Sequence, residues 1–312
     1  MSSPQRSLNV VLAADRNYLM PLSVAARSVF ESIGEATRVE MAILHRGFTA
    51  SDIAAVRRST GAAPGQIQFI PFGTVDKAHR ASRVHAHISD AAYIRLALDQ
   101  YVPASWSRCI YLDSDTLTLA SIESAHEMLN GKLLAACVDP WTPLLSSPDG
   151  VQQWAGLELD PSLPYYNSGV LIIDLDRWRE SGATERCFRF LAENRDALVQ
   201  FDQEILNALF SEDISPLPAD WNVLSYWQNE NVGRYWSPTR SELDGLSPID
   251  NPRIRHFEGP VKPWTTAPLL WPHVVEYFEV VDRTSFRGWR PAQSERLPSL
   301  RLSKAAGTAA QD

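Results

Sequence analysis

The fold class of this chain is decided by the stretch CIYLDSD, residues 109–115. Its first four residues predict a buried strand, and Asp113 and Asp115 follow where that strand ends. In an open α/β sheet, ligands bind beyond the carboxyl ends of the strands. Mg²⁺ and Mn²⁺ take hard oxygen ligands and keep positions open for substrate phosphates, so a D-x-D here favours a cation held against a diphosphate. By itself, the motif is equally consistent with two exposed aspartates in a turn.

On both sides of this stretch, apolar strand-like segments alternate with segments of helical periodicity. The predicted strands cover 8–14, 39–44, 66–72, the run into Asp113, 133–138 and 168–175, and the last is apolar enough to be covered on both faces. The predicted helices cover 20–32, 51–58, 89–101 (with Ser89 as N-cap), 121–129, a segment from about 175, and 202–210. Such alternation predicts an α/β fold: a single Rossmann-like domain with a mostly parallel sheet and right-handed crossovers.

Residues 215–272 differ from the rest of the predicted domain. They are rich in Pro and Trp and show little periodicity. We expect irregular structure that closes over a cleft.

Composition excludes several classes of protein. With 312 residues, 45% hydrophobic and 21% charged, the chain resembles an ordinary globular protein that can bury a full core. A net charge of -8 argues against a nucleic-acid partner, because neutralising phosphates needs a surplus of Lys and Arg. The distant Cys109, Cys137 and Cys187 predict buried thiols in a reducing compartment, with neither a disulfide framework nor a zinc site.

The sequence also bears on localisation. The segment around Arg6 lacks the long apolar region of a signal peptide, and no stretch approaches the roughly 18 apolar residues that span a bilayer. We therefore expect a cytoplasmic protein.

Polar residues follow the first predicted strand in the segment AADRNY, residues 13–18. Its amide and carboxylate can hydrogen-bond a base, and Tyr18 can stack on one. The alternative is an ordinary strand-to-helix loop in which Asp15 or Asn17 caps the next helix. The segment contains no G-x-G-x-x-G and no P-loop, which argues against a dinucleotide-binding fold and against a kinase or ATPase.

Two further clusters carry polar groups suited to an anionic or sugar ligand. His87-Ile88-Ser89 precedes Tyr93 and Arg95, whose guanidinium can face anionic groups or pair with an acidic residue of the protein. Asn167 near the start of one predicted strand, and Asp202 and Gln203 at the start of a helix, can orient sugar hydroxyls. Each is also an ordinary cap or turn residue.

The segment HFEGPVKPW, residues 256–264, is the second informative stretch. A histidine, a glycine that permits close backbone approach, and a lysine six residues after the histidine suit a complex of a cation with a diphosphate. His256 would complete the metal ligands, and Lys262 would neutralise charge on a leaving group. The alternative is a surface loop stiffened by prolines.

Together these segments resemble glycosyltransferase family 8, which includes bacterial lipopolysaccharide α-galactosyltransferases and α-glucosyltransferases, and glycogenin. The resemblance runs in order from about residue 8 to residue 264 and is closer to the bacterial enzymes. It is carried by Ala13-Ala14-Asp15-x-Asn17-Tyr18, His87-Ile88-Ser89-x-x-x-Tyr93-x-Arg95, Tyr111-Leu112-Asp113-x-Asp115, Asn167-x-Gly169-Val170, Asp202-Gln203-x-Ile205-Leu206-Asn207 and His256-x-x-Gly259-x-x-Lys262-Pro263-Trp264.

The resemblance implies a nucleotide-sugar-binding domain of the A-type glycosyltransferase fold, with a role for each matching position. Asp113, Asp115 and His256 would bind Mn²⁺ or Mg²⁺. The donor would be a UDP-hexose. Its uridine would contact Ala13, Asp15, Asn17 and Tyr18, its sugar would contact Arg95, Asp113, Asn167, Asp202 and Gln203, and its diphosphate would contact Gly259 and Lys262. Ser114 would also belong to the donor site.

Two positions depart from the family pattern. Arg16 stands where bacterial members often carry an acidic residue, and Glu258 replaces a small, usually uncharged residue before Gly259. Glu258 adds a negative charge near the expected diphosphate, which bears on the geometry of that loop.

The predicted function is a metal-dependent retaining transfer of galactose or glucose from a UDP-sugar to a hydroxyl of a glycan, a lipid-linked or a small-molecule acceptor. Gln203, Lys262 and Asp202 are the predicted catalytic residues. Because an amide is a poor nucleophile, Gln203 beside the anomeric carbon favours front-face attack over a covalent intermediate. The alternatives are a sugar-1-phosphate nucleotidylyltransferase, which should have a Gly-rich first loop, and a non-catalytic glycan-binding protein on a transferase scaffold.

The C-terminal part is predicted to be distinct from the catalytic domain. We expect that domain over residues 1–272 and a basic, aromatic appendage with a flexible tail over 273–312. Residues 283–304 hold six basic residues and one acidic residue, a net charge of +5. With Phe286, Trp289, Leu297, Leu300 and Leu302, they could bind peripherally to the inner face of an anionic membrane; a back-packed or disordered tail is the alternative.

Overall fold

The computed structural model describes residues 6–63, 65–73, 92–224, 251–259, 262–265 and 272–291. Its strands are β1 Arg6–Asp15, β2 Thr37–Arg46, β3 Ile67–Pro71, β4 Arg108–Asp113, β5 Thr116–Thr118, β6 Leu134–Val138, β7 Tyr166–Asp174, β8 Ile214–Pro216, β9 Val223–Leu224 and β10 Ile254–His256. Its α-helices are α1 Leu19–Ser32, α2 Ala50–Thr60, α3 Leu175–Glu180, α4 Ala183–Asn194, α5 Phe201–Phe210 and α6 Pro272–Val281. The α/β fold predicted from the alternating pattern is confirmed.

Within the described residues, seven strands form the main sheet in the order β3-β2-β1-β4-β7-β6-β8. Strand β1 is parallel to β2 and β4, β2 is parallel to β3, and β6 is parallel to β8. The sheet is therefore mostly parallel, as predicted, but β7 is antiparallel to both β4 and β6. Because β7 runs the other way, its N-terminal residues lie beside the carboxyl end of β4, where Leu112 pairs with Val170.

Both faces of this sheet are covered. Val10 and Leu12 of β1 belong to one apolar cluster, and Val11 and Ala13 belong to another on the opposite face. Successive side chains of a strand point to opposite faces, so a strand buried on both sides must be apolar at every position. Strand β7 is buried from Tyr166 to Ile173 and follows this rule from Gly169 to Ile173, while its buried polar residues Asn167 and Ser168 lie at the start of the strand.

Local sequence accounts for both ends of helix α2. The Thr49 hydroxyl accepts from the Asp52 backbone N–H, and the Asp52 carboxylate accepts from the Thr49 backbone N–H, a capping box that starts α2. Gly61 ends α2 in the left-handed region at φ 65°. Helix α2 therefore begins one residue before the predicted segment 51–58 and ends two residues after it.

The helix predicted over 89–101 is wrong in type for the part that the structure describes. Residues Ala92–Gln100 form 3₁₀ turns joined by a kink at Ala97, and residues 89–91 lie outside the described ranges. Ile94 through Leu98 are all buried. A segment buried on every side has no solvent face to set a helical period, so packing decides its backbone.

The helix predicted over 121–129 is also too long. Only Ala125–Leu129 is helical, in a 3₁₀ turn that ends at Asn130 with φ 49°. The Ser121 hydroxyl accepts from the Glu123 backbone N–H at 3.3 Å and so satisfies the start of the segment without a helix.

The irregular structure expected over 215–272 is confirmed only in part: residues 251–253, 257–259 and 262–265 form neither strand nor helix, whereas β9 and β10 are short strands. Strand β10 pairs in parallel with β9 and antiparallel with β5, which gives a second, three-stranded sheet. His256 stands opposite Thr116 in this pairing, and the Phe257 N–H donates to the Asp115 carbonyl at 2.8 Å. The small sheet therefore carries residue 256 to the end of β4. Residues 225–250, 260–261 and 266–271 lie outside the description.

The described part of the predicted appendage packs on the domain. Helix α6 shares an apolar cluster with Met20 and Val24 of α1, and Phe286 packs against this cluster. Arg283 pairs with Glu31 at 2.9 Å. Trp289 is 38% exposed. A division of the chain at residue 272 remains a prediction, and membrane contact would depend chiefly on residues 292–304, outside the described ranges.

Two other predictions concern the compartment of the protein. Cys109, Cys137 and Cys187 are buried free thiols, as expected. Burial raises the pKa of each above its ordinary value, so all three stay protonated. Among the helices in the described ranges, none is both long and apolar enough to cross a membrane.

Candidate active site

The carboxyl ends of β4 and β6, the start of β7 and the end of β10 surround a cleft of about 650 Å³. Most of the residues singled out from the sequence for the sugar, the diphosphate and the cation line it. They are Arg95, Asp113, Asp115, Asn167, Asp202, Gln203, His256, Gly259 and Lys262. The rule that ligands bind beyond the carboxyl ends of strands thus points to the edge of the sheet at which this cleft lies.

Asp113, Asp115 and His256 form a group in which one ligand atom from each lies within 4.8 Å of the others. His256 Nε2 is 3.3 Å from Asp115 Oδ1 and 3.9 Å from Asp113 Oδ2. Two carboxylates with one imidazole are a hard donor set that suits Mn²⁺ or Mg²⁺. The residues present therefore fit a divalent cation.

Charges in this group shift the pKa values of its members. Burial would raise the pKa of Asp115, but Lys262 and His256 hold it well below its usual range. Burial alone would lower the pKa of His256, and the carboxylates of Asp115 and Asp113 reverse that and raise it. Asp115 is consequently ionised and ready to bind a cation at neutral pH.

Gly169 of β7 makes room for this group. A Cβ built there would lie 2.2 Å from His256 Cε1, 2.7 Å from His256 Nδ1 and 3.0 Å from Asp113 Oδ2. Such distances are far inside van der Waals contact, so only glycine lets His256 approach the aspartates.

We expect Gly169→Ala to fold but to bind UDP poorly in the presence of Mn²⁺. The added methyl must push His256 away, and disturbing the support of a metal ligand commonly costs about 10–100-fold in metal affinity. Gly156→Ala is the matched control, because its nearest neighbour would be 3.6 Å away. Calorimetry of UDP binding with Mn²⁺ measures the effect. Equal affinity in both variants would show that the Gly169 contact has no functional role.

Arg95 joins the cation group to the sugar side of the cleft. Its guanidinium contacts Asp113 Oδ1 at 2.8 Å, Asp202 Oδ2 at 3.0 Å and the Ser168 carbonyl at 2.6 Å, and it lies over the Tyr111 ring. Burial raises the pKa of Asp202, and Arg95 opposes this shift. Arg95 therefore pairs with acidic residues of the protein, which is the alternative given in the sequence analysis. It also lines the cleft.

Asp139 was missed by the sequence analysis. One carboxylate oxygen, Oδ2, accepts from Asn167 Nδ2 and from Gln203 Nε2, both at 3.0 Å. The other oxygen accepts from the Trp141 backbone N–H at 2.9 Å. Asp139 directly follows β6, so the same rule that identified Asp113 applied to it. It holds the two amides in place.

The loop after β10 brings Lys262 to the aspartates. Lys262 is 9% exposed, and its Nζ lies 2.5 Å from Asp115 Oδ2 and also donates to the Phe257 carbonyl. The carboxylate of Asp115 outweighs burial and keeps the pKa of Lys262 above its ordinary value. Gly259 adopts φ 72°, a left-handed conformation that favours glycine.

Glu258, the departure from the family pattern, lines the same cleft. Neither of its buried carboxylate oxygens accepts a hydrogen bond from the described parts of the chain. Burial raises its pKa to about 7. The negative charge that Glu258 would add before Gly259 is therefore only partly present at neutral pH.

The residues predicted for uridine lie at the end of β1, next to this cleft. Asp15 Oδ1 accepts from the Asn17 N–H at 2.9 Å, which is the capping role of the alternative interpretation. The Ser114 hydroxyl donates to the Ala13 carbonyl at 2.7 Å, and Tyr18 meets Trp264 edge to face. As far as the described residues go, neither these four positions nor Ser114, which was predicted for the donor, lines the 650 Å³ cleft.

Arg16 and the segment His87-Ile88-Ser89 were also singled out from the sequence. Arg16 is largely exposed and pairs with Asp52 at 3.0 Å, so its charge is directed toward α2. His87, Ile88 and Ser89 lie outside the described residues.

Comparison with known proteins identifies the family of the chain. The glycosyl transferase family 8 model matches residues 9–267. The chain is 27% identical to general stress protein A of Bacillus subtilis over 89% of its own length and 94% of that protein. It is 25% identical to a lipopolysaccharide 1,2-glucosyltransferase of Escherichia coli K12, over 67% of this chain but 59% of that protein.

The fold also has solved counterparts. The galactosyltransferase LgtC, determined in complex with donor and acceptor sugar analogues, superimposes with a TM-score of 0.74 at 26% identity, covering 89% of this chain and 96% of LgtC. The bifunctional glycosyltransferase WbbM gives a TM-score of 0.71 at 19% identity over 91% of this chain and 51% of that one. Because the family model matches most of its length, the chain belongs to glycosyltransferase family 8.

Proposed function

We propose that the chain transfers a hexose, galactose or glucose, from a UDP-sugar to an acceptor hydroxyl, with retention at the anomeric carbon and with Mn²⁺ or Mg²⁺ bound. The acceptor is a glycan, a lipid-linked or a small-molecule hydroxyl compound. The observation that carries the proposal is the grouping of Asp113, Asp115, His256 and Lys262 in one cleft. Family membership and the LgtC-like fold support a sugar donor.

Asp113, Asp115 and His256 would hold the cation, which supplies Lewis-acid stabilisation of the departing diphosphate. Lys262 contacts the Asp115 carboxylate of this group, so its ammonium is placed to neutralise charge that develops as the glycosidic bond breaks. The cation and the Lys262 ammonium would both act in a largely buried site, where electrostatic stabilisation is stronger than in water.

On the sugar side, the contacts favour positioning over covalent chemistry. Gln203 Oε1 accepts from the Ser168 N–H at 3.0 Å while Nε2 donates to Asp139, so both ends of the amide are held by protein groups. Asp202 is paired with Arg95. These contacts support a front-face attack by the acceptor, with Gln203 beside the anomeric carbon and Asp202 fixing Arg95.

A panel of UDP-sugars with Mn²⁺, scored by thermal shift and by UDP release, tests this function. We expect UDP-galactose or UDP-glucose to raise the melting temperature, and the same donor to be hydrolysed slowly without acceptor. ADP- and GDP-sugars are the controls for the base. Absence of both stabilisation and UDP release across the panel would contradict the proposal. Pyrophosphate-dependent UTP formation would indicate a nucleotidylyltransferase, and binding without turnover would indicate a glycan-binding protein.

A further inference from the structure

Asn222 is a buried residue that the sequence analysis did not single out. It directly follows a 3₁₀ turn, Ala219–Trp221, and precedes β9, and it is 5% exposed. Its side chain lies between two residues of the site. Nδ2 donates to Asn167 Oδ1 at 2.8 Å, and Oδ1 lies 3.1 Å from His256 Nδ1.

A backbone amide settles which way these side chains point. The Gly169 N–H donates to Asn167 at 2.9 Å. A backbone N–H is always a donor, so the atom it meets must be the carbonyl oxygen Oδ1. The opposite atom of Asn167 must then be Nδ2, which agrees with its 3.0 Å contact to the Asp139 carboxylate, an acceptor.

The same reasoning assigns the orientation of the Asn222 amide and then the position of the proton on His256. Because Asn167 Oδ1 only accepts, the Asn222 atom that faces it must be the donor Nδ2. The remaining atom, Asn222 Oδ1, is an acceptor and faces His256 Nδ1. His256 must therefore carry a proton on Nδ1.

The other ring nitrogen then faces the aspartates. His256 Nε2 is the atom near Asp115 Oδ1 and Asp113 Oδ2. In the neutral imidazole, a proton on Nδ1 leaves the lone pair on Nε2. Groups that hold the distal nitrogen of a ligating histidine orient its ring, and losing them commonly costs about 10–100-fold in metal affinity.

We propose that Asn222 is a positioning residue that fixes His256 as the Nδ1–H tautomer, so that Nε2 faces the cation site before any ligand arrives. The backbone of β7 imposes this choice through Gly169, Asn167 and Asn222. The inference rests on the proposed function only in assigning His256 to a cation; the proton on Nδ1 follows from the Asn222 contact in the unliganded protein, in the neutral ring and in the imidazolium alike.

The tautomer can be measured directly. In protein labelled with ¹⁵N-histidine, two-bond ¹H–¹⁵N spectra at a pH where the ring is neutral distinguish the two tautomers, and His256→Gln assigns the signal. We expect wild-type His256 as the Nδ1–H form. A wild-type His256 with its proton on Nε2 would overturn the proposal without any variant being made.

Two substitutions of Asn222 then separate positioning from a merely structural role. Asn222→Asp keeps an acceptor toward His256 but loses the donor toward Asn167, whereas Asn222→Leu has a similar size and loses both. We expect Asn222→Asp to keep the tautomer and Asn222→Leu to lose it. Mn²⁺ affinity, measured by electron paramagnetic resonance with and without UDP, should fall about 10–100-fold in Asn222→Leu and much less in Asn222→Asp.

Thermal unfolding of both variants supplies the structural comparison. Asn222→Asp sets a carboxylate against the Asn167 carbonyl, so it should melt at the lower temperature although it binds Mn²⁺ better. Mn²⁺ affinities that simply follow melting temperature would contradict a positioning role. A wild-type protein that shows the Nδ1–H tautomer and binds Mn²⁺ but no UDP-sugar would contradict the proposed function alone.

Discussion

Replacing Asp115 with asparagine is expected to abolish Mn²⁺-dependent UDP binding. The Asp115 carboxylate is the group that His256 and Lys262 share, through Oδ1 and Oδ2 respectively. Asparagine keeps the size of the side chain and the backbone carbonyl that accepts from Phe257. It removes the negative charge, and losing a ligand should cost more than the roughly 10–100-fold typical of a supporting contact.

The measurement is a calorimetric titration of UDP with and without Mn²⁺. Asp149→Asn is a matched control, since Asp149 is exposed and the substitution changes the net charge by the same amount. Circular dichroism checks that the fold persists, because removing one member of a buried pair leaves Lys262 without its carboxylate. Wild-type UDP affinity in a folded Asp115→Asn protein would rule out Asp115 as a metal ligand.

The second large effect is expected for Lys262→Ala. If the ammonium stabilises the departing diphosphate, its contribution is greatest in the transition state, and kcat should fall by roughly 10²–10³ while KM for the donor changes little. The burial of Lys262 beside Asp115 is the reason for expecting so large an effect from one charge.

Steady-state kinetics with the donor identified from the UDP-sugar panel test this expectation. Lys132→Ala is the control, because Lys132 is exposed and its Nζ donates to a backbone carbonyl, that of Glu212. If Lys262→Ala raised KM and left kcat unchanged, the lysine would supply uniform binding of donor and would not be a catalytic group.

Much of the site was predictable because its residues stand at element ends. Asp113 and Asp115 follow β4, and His256 closes β10, so a rule about strand ends finds them. Asp139 obeys the same rule after β6 and could have been found. Asn222 could not, since a single asparagine after a short turn carries no periodicity and resembles many loop residues.

The fold was predictable to a similar extent. Apolar runs such as 109–112 and 169–173 must be buried on both faces, which requires other elements packed on each side of a sheet. The segment 92–100 and the strands β9 and β10 were not predicted correctly. Their backbone follows from packing against distant residues, and two- or three-residue strands are too short to show a period of two.

The sequence by itself determined the α/β class, the edge of the sheet that carries the site and the donor set for a divalent cation, because these depend on local hydrophobicity and on side-chain chemistry. Only the tertiary structure decided which partners meet. Lys262 reaches Asp115 across 147 positions of chain, and Asn222 reaches Asn167 across 55. Contacts of such separation depend on the antiparallel course of β7 and on the pairing of β5 with β10, which no local pattern encodes.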